Sequence, residues 1–282
     1  MLRVAVPNKG SLSEAAVAIF TEAGYRQRRD GKELVFVDPA AGVEFYYLRP
    51  RDIAVYVGEG TLDAGVTGQD LLLDSGANAD AILDLDFARS TFRFAAAGNS
   101  APRTLNDLQG ARIATSYPHV LTAFLSRHGL TAHLVRLDGA VESAIRLGVA
   151  DVIADVVETG SALRQNGLEV FGPVILDSHA VLIGRKGIAT TDALDLMLRR
   201  LRGVLVAHNY VMVDYDVPAD AVAEASRLTP GLESPTVSPL AREGWFAVRA
   251  MVPRADSQQL MDELWDCGAR AILLTDIHAC RI

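Results

Sequence analysis

Two stretches of this chain carry side chains whose types and spacing suit the binding of a small polar ligand. The first runs from Asp138-Gly139-Ala140-Val141-Glu142 to Leu163. Within it Asp155 closes an apolar run of Val, Ile and Ala, and Glu158-Thr159-Gly160-Ser161-Ala162-Leu163 follows as a polar turn that opens a helix. A carboxylate at a strand's end can accept hydrogen bonds from vicinal hydroxyls, while backbone N–H groups, the positive end of a helix and the Thr and Ser hydroxyls hold a phosphate. The same spacing also suits a plainer role, in which Asp155 caps the helix and Gly160 makes a tight turn. Spacing alone does not separate the two. In the second stretch the apolar run Leu2 to Val6 breaks at Pro7-Asn8-Lys9-Gly10, and Ser11 with Glu14 has the spacing of a capping box. Helix N–H groups then stand just beyond a strand, with Lys9 beside them, which suits an anion or a carbonyl; a solvated turn lysine is the alternative.

The elements that must position these groups alternate along the chain. Short apolar runs end in glycine-containing turns that open helical patterns, the mark of an α/β architecture. Val35 to Tyr56 holds two strand-like segments, VFVD and VEFYYL, around Pro39 and Gly42, then Arg49-Pro50-Arg51-Asp52 and a short helix from Ile53 to Gly58. Gly60 to Gly68 leads into Gln69-Asp70-Leu71-Leu72 as strand, turn and helix. The design returns at Gly148 to Asp155, with Gly60 aligned on Gly148 and Asp63 on Asp151, and suggests two similar lobes. Arg112 to Ser116 is a further strand before Tyr117-Pro118 and a helix from Val120 to Arg127. Each lobe would present its polar turns at the C-terminal ends of parallel strands, where open α/β sheets bind ligands.

From Gly184 the pattern changes. Leu194, Leu198, Leu201 and Leu205 fall at helical spacing in a connecting helix. Beyond Asn209 the chain reads strand, helix, a polar Gly and Pro stretch from Thr229 to Pro239, strand, helix and strand, enough for a small α+β domain of split βαβ type. It holds no group suited to covalent chemistry, so binding or regulation is its expected task.

Composition narrows the classes. The 282 residues are 50% hydrophobic and 22% charged, as in ordinary globular protein. With 27 Lys and Arg against 35 Asp and Glu, the formal charge of -8 leaves no positive surface for a nucleic-acid backbone. The N-terminal apolar run is too short for a signal peptide, and no run reaches the roughly 18 apolar residues of a membrane span. The two cysteines, Cys267 and Cys280, are too few for a disulfide framework, and a cytoplasmic protein is expected. The six histidines have no HxH or HExxH spacing.

The run E-x5-G-x-A-x2-I-x-D-V-x2-T-G-x-x-L, from Glu142 to Leu163, resembles the signature of the ATP phosphoribosyltransferases, which catalyse the first step of histidine biosynthesis. AVPNKGSLSE, FYYLRPRDIAVYV, VTGQDLL, STFRFA, RIATSYP, TPGLESPTVSPLA and RAMVPR resemble the same family in the same order, so the likeness covers nearly the whole chain. The tail is similar to that of the long form, which carries its own regulatory domain. One departure is Ala162, where the family has Thr; it removes a hydroxyl from the phosphate loop.

The resemblance implies a bilobal, periplasmic-binding-protein-like catalytic core with a ferredoxin-like third domain. Lobe I would take residues 1-90, completed by about 180-208, lobe II 91-179 and the regulatory domain 209-282. The implied reaction moves the 5-phosphoribosyl group of phosphoribosyl pyrophosphate to an adenine ring nitrogen of ATP. Mg²⁺ and nearby cations would stabilise the leaving pyrophosphate. Lys9, Arg49 and Arg93 would lie near the phosphates, with Gly10 in the same turn as Lys9. Glu142 and Asp155 would hold the ribose hydroxyls or a hydrated Mg²⁺, and Glu158, Thr159, Gly160, Ser161 and Ala162 would form the phosphate loop. Asp70 is either a helix cap or an adenine or ribose contact, with the cap favoured; Ser90, Thr115 and Tyr117 sit at expected turns suited to nucleotide contacts. No strong base is needed, because the ring nitrogen already offers a lone pair. Feedback inhibition by histidine would map to Asp216, Leu232, Ser234, Thr236 and Ala271, and the family's homodimer and homohexamer are implied. The rivals are a non-catalytic solute sensor on the same scaffold and a phosphoribosyltransferase with another acceptor.

Overall fold

The computed structural model describes residues 1–98, 104–187, 189 and 191–281, Ser11 by its backbone alone. The capping box expected at Ser11 therefore turns on a side chain outside the described residues. The described chain divides into two compact units, one of Met1–Thr21 with Tyr25–Leu194, the other of Glu22–Gly24 with the chain from Asp195 onward.

In the first unit the elements follow in order as Leu2–Pro7 (β1), Ser11–Glu22 (α1), Val35–Asp38 (β2), Val43–Leu48 (β3), Pro50–Gly58 (α2), Ala64–Gly68 (β4), Gln69–Ser75 (α3) and Ala79–Asp84 (β5). Ser90–Ala97 (β6), Arg112–Thr115 (β7), Pro118–Arg127 (α4), His133–Arg136 (β8), Ser143–Arg146 (α5) and Val152–Val157 (β9) come next. Ser161–Gln165 (α6), Leu168–Ser178 (β10) and Ala180–Arg185 (β11) close the series, before Asp192–Asn209 (α7) leads into the second unit. Two sheets result, β2-β3-β1-β4-β11-β5 and β10-β6-β9-β7-β8. β1 pairs parallel with β3 and β4, and β7 pairs parallel with β8 and β9, so the C-terminal ends of each set lie along one edge of their sheet.

Burial explains why these runs are strands. Val4, Ala5 and Val6 of β1 and Val152, Ile153 and Ala154 of β9 are wholly buried, as strands covered on both faces require. The first sheet packs Phe20 of α1 edge-on against Phe45 of β3 at 5.2 Å; the second gathers Phe92, Phe94, Ile113 and Phe124. Prolines at the first helical position start α2 and α4, where a missing N–H costs nothing.

The repeat read at Gly60 and Gly148 has a structural basis. Asp63, just before β4, accepts the backbone N–H of Arg3 in β1 at 2.7 Å and returns its own N–H to Arg3 oxygen at 2.9 Å. Asp151, just before β9, does the same with Arg112 of β7, at 3.1 and 2.9 Å, and adds a two-pronged contact with the Arg112 guanidinium. That guanidinium holds the Asp151 carboxyl below the usual carboxylate range. These two aspartates staple strands, one in each lobe.

The chain passes from the first sheet to the second after β5 and returns between β10 and β11. The crossings are tied by Leu85 N–H to Ala180 oxygen at 3.0 Å and Ala180 N–H to Phe87 oxygen at 2.9 Å. Two α/β lobes joined by paired crossings make the periplasmic-binding-protein-like core.

In the second unit Tyr210–Pro218 (β12), Val222–Leu228 (α8), Thr236–Pro239 (β13), Trp245–Pro253 (β14), Ser257–Asp266 (α9) and Arg270–Asp276 (β15) form an antiparallel sheet of order β13-β14-β12-β15. Val211, Val213, Tyr215 and Val217 alternate onto the face that meets Leu260 and Leu264 of α9. Strand β13 falls inside the stretch read as a polar loop, and with it the order becomes the βαββαβ of a ferredoxin-like domain.

Candidate active site

Lys9, Arg49 and Asp70 stand at the C-terminal ends of β1, β3 and β4, so the parallel pairing of those strands brings them to one rim. Lys9 is exposed in the turn after β1, where Gly10 takes a left-handed φ of 78° that lets the chain reverse into α1. Arg49 is exposed at the N-cap of α2.

Asp70 departs from the favoured expectation. The N-cap of α3 is Gly68, and Asp70 sits in the first turn. Its buried carboxylate accepts the Ser178 hydroxyl at 2.8 Å, and its N–H donates to the same hydroxyl at 3.1 Å. The Tyr117 phenol, from the second lobe, lies within the influence of the Asp70 charge. Burial first, then the charge and hydrogen bond of Asp70, push the Tyr117 phenol far above its ordinary range, so it remains a hydrogen-bond donor.

Ser90 and Thr115 also differ from expectation, lying in strands β6 and β7 rather than in turns. Thr115 is fully buried, and its hydroxyl accepts the Tyr117 N–H at 3.0 Å, an engagement that shapes the strand's exit. Ser90 faces Ser178 across the β6–β10 pairing.

On the second lobe Glu142, Asp155, Val156, Val157, Glu158, Thr159, Gly160, Ser161, Ala162 and Leu163 line one hollow of about 260 Å³. Asp155 lies inside β9 and not at its end, because the strand runs on to Val157. Its carboxylate accepts the N–H of Val156 at 2.8 Å. Arg93 of β6 is directly opposite Asp155 in the antiparallel register, so the two side chains share a sheet face. Arg93 donates to Gly172 oxygen at 3.0 Å, while its buried Nε has no partner. Glu142 is the N-cap residue of the one-turn helix α5.

Burial raises the Asp155 carboxyl to about 6; the Val156 N–H opposes this, and the charges of Glu142 and Asp70 add to it, with Arg51 pulling the other way. Negative charge is therefore crowded here without enough cation to balance it. Two carboxylates on one wall suit a divalent ion that takes its remaining oxygens from water and a ligand. Among the described residues no cluster of three or more His, Cys, Asp or Glu converges on a point.

The loop from Glu158 to Ser161 is built for close backbone approach. Gly160 is left-handed at φ 67°, and the Thr159 and Ser161 hydroxyls pair at 3.0 Å. Helix α6 is only 5 residues long, so the loop's own N–H groups outweigh any helix dipole. Ala162 is exposed and lines the same hollow, without the hydroxyl that a Thr would bring.

Sequence reasoning passed over Arg51 and Asp74. The Arg51 guanidinium lies 5.1 Å from the Tyr117 ring centre and 3.4 Å from an Asp74 oxygen. Its only sequence signal was its place in the RPRD turn; its partners are brought to it by the fold.

Of the five tail residues, Asp216 is half-buried in β12 on the face opposite Tyr215, paired with Ala247 and Arg270. Thr236 opens β13, Leu232 and Ser234 are exposed in the preceding loop, and Ala271 holds a left-handed φ of 53° in β15.

Comparison with known proteins agrees with this geometry. The family model described as ATP phosphoribosyltransferase matches residues 49–203, and that described as HisG, C-terminal domain, matches residues 207–279. The chain is 60% identical to the ATP phosphoribosyltransferases of Pseudarthrobacter chlorophenolicus and Streptomyces avermitilis, in each case over 100% of both chains. Among solved structures, the ATP phosphoribosyl transferase (HisG:HisZ) complex from Thermotoga maritima superposes with a TM-score of 0.62 at 25% identity, covering 72% of this chain and 96% of that one. With the transferase and the C-terminal domain matched in a single chain, the protein belongs to the ATP phosphoribosyltransferase family, in its long form.

Proposed function

We propose that the crevice between the two lobes carries out the family's reaction, transfer of the 5-phosphoribosyl group from phosphoribosyl pyrophosphate to an adenine ring nitrogen of ATP. Lobe I is residues 1-90 completed by about 180-208, lobe II 91-179, and 209-282 the regulatory domain. The observation that carries the reading is the single hollow shared by Glu142, Asp155 and the Thr159–Ser161 loop. The two carboxylates accept the ribose hydroxyls, and the loop N–H groups with the Thr159 and Ser161 hydroxyls hold the 5-phosphate. Lys9, Gly10, Arg49 and Arg93 face the phosphates of ATP or of the departing pyrophosphate. Asp70, Ser90, Thr115 and Tyr117 shape the nucleotide's place, Thr115 through the backbone it holds.

The ring nitrogen donates its lone pair to the anomeric carbon as the bond to pyrophosphate breaks, and the electron pair leaves with that group. Positive charge builds on the ribose during this exchange, and the acidic wall stabilises it. Glu142 and Asp155 are the groups that would hold Mg²⁺, which when bound offsets the charge of the leaving pyrophosphate. We assign histidine inhibition to Asp216, whose charge suits an amino group or imidazole, with Leu232, Ser234, Thr236 and Ala271 around it. A homodimer that assembles into a homohexamer, in the cytoplasm, is the accompanying proposal. Among the described residues no helix is long and apolar enough to cross a membrane.

The test mixes the protein with phosphoribosyl pyrophosphate, Mg²⁺ and ATP or another nitrogen nucleophile, and follows pyrophosphate and phosphoribosyl-ATP. Release of pyrophosphate with another acceptor alone would sink the ATP assignment. No release with any acceptor would favour a sensor.

A further inference from the structure

A carboxylate of the first lobe closes the open end of a helix in the second. At the start of α4 the N-cap Tyr117 makes no capping side-chain bond, and Pro118 has no N–H to offer. The N–H groups of His119 and Val120 have no acceptor within their own helix. Both donate instead to Asp74 Oδ1 in the last turns of α3, at 2.9 and 3.2 Å. The other carboxylate oxygen faces Arg51 at 3.4 Å, and the Asp74 carbonyl lies 2.5 Å from His119 Nδ1. Asp74 is 6% exposed, so water does not readily substitute for it.

A helix cap normally comes from the residue next to the helix in sequence. Here it comes from 45 residues away, on the far side of the crevice. Asp86 and Ala88 in the crossing between β5 and β6 sit at left-handed φ of 59° and 52° outside helix and sheet, so the α4 cap is a further tie between the lobes beside the Leu85–Ala180 and Ala180–Phe87 hydrogen bonds. The cap also adjoins the nucleotide side of the site. Tyr117, immediately before α4, feels the charge of Asp70, and its ring faces the same Arg51 that meets Asp74.

We propose that Asp74 is a positioning residue, an inter-lobe cap that sets the width of the crevice by holding Tyr117 and the exit of β7 against Asp70 and Arg51 before substrate arrives. The proposal rests on the transferase reading for its kinetic readout alone. Without the cap the narrow crevice is a smaller fraction of the population, and apparent affinities for both substrates fall in proportion to that fraction. Saturating substrate restores the geometry, so turnover is retained.

The experiment compares Asp74→Ala and Asp74→Asn with the parent in steady-state kinetics and amide hydrogen exchange. Asp74→Ala is expected to raise the KM for ATP and for phosphoribosyl pyrophosphate together, by roughly ten-fold, the size of a lost cap, with kcat within about two-fold. Asp74→Asn keeps an oxygen for both N–H groups and is expected to recover most of the affinity. In Asp74→Ala the His119 and Val120 amides lose protection while the last turns of α4 keep theirs. Unchanged KM values, a fall in kcat alone, or faster exchange along all of α4 would each overturn the proposal, the last because it is what a merely structural cap predicts. Should Asp74→Ala fail to fold, His119→Pro removes the His119 N–H, and with it the ring's contact to the Asp74 carbonyl, at a first-turn position that tolerates proline. A joint KM rise of a few-fold supports the cap, and unchanged KM values refute it. A parent protein without transferase activity would count against the functional reading, whereas parent-like exchange in Asp74→Ala would count against the cap.

Discussion

Asp155 shows how burial can make a carboxylate informative. Its carboxyl is raised to about 6 by desolvation, with Glu142 and Asp70 adding to the effect, against 3.8 for the free side chain. The folded state therefore binds this proton more tightly than the unfolded chain does, and between those two values stability falls as pH rises. Above about 6 the protein holds a charged, crowded carboxylate, which costs stability and serves binding. Three outcomes follow for Asp155→Asn. Its thermal midpoint without ligand should exceed the parent's at pH 7 to 8, with the gap closing toward pH 4. Its kcat/KM for phosphoribosyl pyrophosphate should fall by ten-fold or more, and the acidic limb expected of the parent near 6 should flatten. A parent-like profile in the variant would remove Asp155 from the site. This residue was legible in sequence because strand, carboxylate and Thr-Gly-Ser turn are contiguous. Arg51 and Asp74 were not, because their meaning lies in Tyr117, His119 and Val120, which only the closed fold brings to them.

Among elements, those that bury a continuous apolar run were readable, and those that lean on a neighbour were not. β1, β4, β7 and β9 announce themselves in this way, and the Asp63 and Asp151 staples even repeat in sequence. β13 was missed because all of Thr236–Pro239 is exposed and ends in proline; it is a strand through its pairing with β14. Asp70 was misread as a cap because sequence places an acidic residue near a helix start without saying which residue ends the strand. Close packing makes a sharper demand at Gly65 of β4, where an added methyl carbon would stand 2.5 Å from Ile53 Cγ2 in α2 and 3.0 Å from Ala5 Cβ in β1. Gly65→Ala must push α2 off the sheet, and should lower stability by about 1 to 3 kcal/mol, read as a reduced denaturant midpoint at constant slope. Because Arg49 caps α2 and Arg51 lies in its first turn, the same variant should raise the KM for substrate. An unshifted midpoint would mean that the helix–sheet gap is wider than the structure shows.

For the whole molecule, the proposed crevice and the tail residues assigned to histidine belong to different compact units, and the proposed inhibition requires that histidine favour one global state over another. On the proposed reading Asp216 is the charged anchor. It lies on the sheet face opposite the core of Val211, Val213 and Tyr215, so its loss leaves that packing intact. Asp216→Ala should therefore keep kcat within about two-fold while raising the histidine concentration for half-inhibition by at least ten-fold, the order of a lost charged hydrogen bond. Linkage adds a condition that any coupling of the two ligands must meet, wherever the effector binds. The factor by which histidine weakens the binding of phosphoribosyl pyrophosphate must equal the factor by which phosphoribosyl pyrophosphate weakens the binding of histidine. Calorimetric titration of each ligand with and without the other measures both factors. Equal factors in the parent and a loss of histidine binding in Asp216→Ala would place the effector in the tail. Inhibition that survives in Asp216→Ala would put the effector elsewhere. Unequal affinity factors in the parent would mean that the titrations do not report one coupled equilibrium.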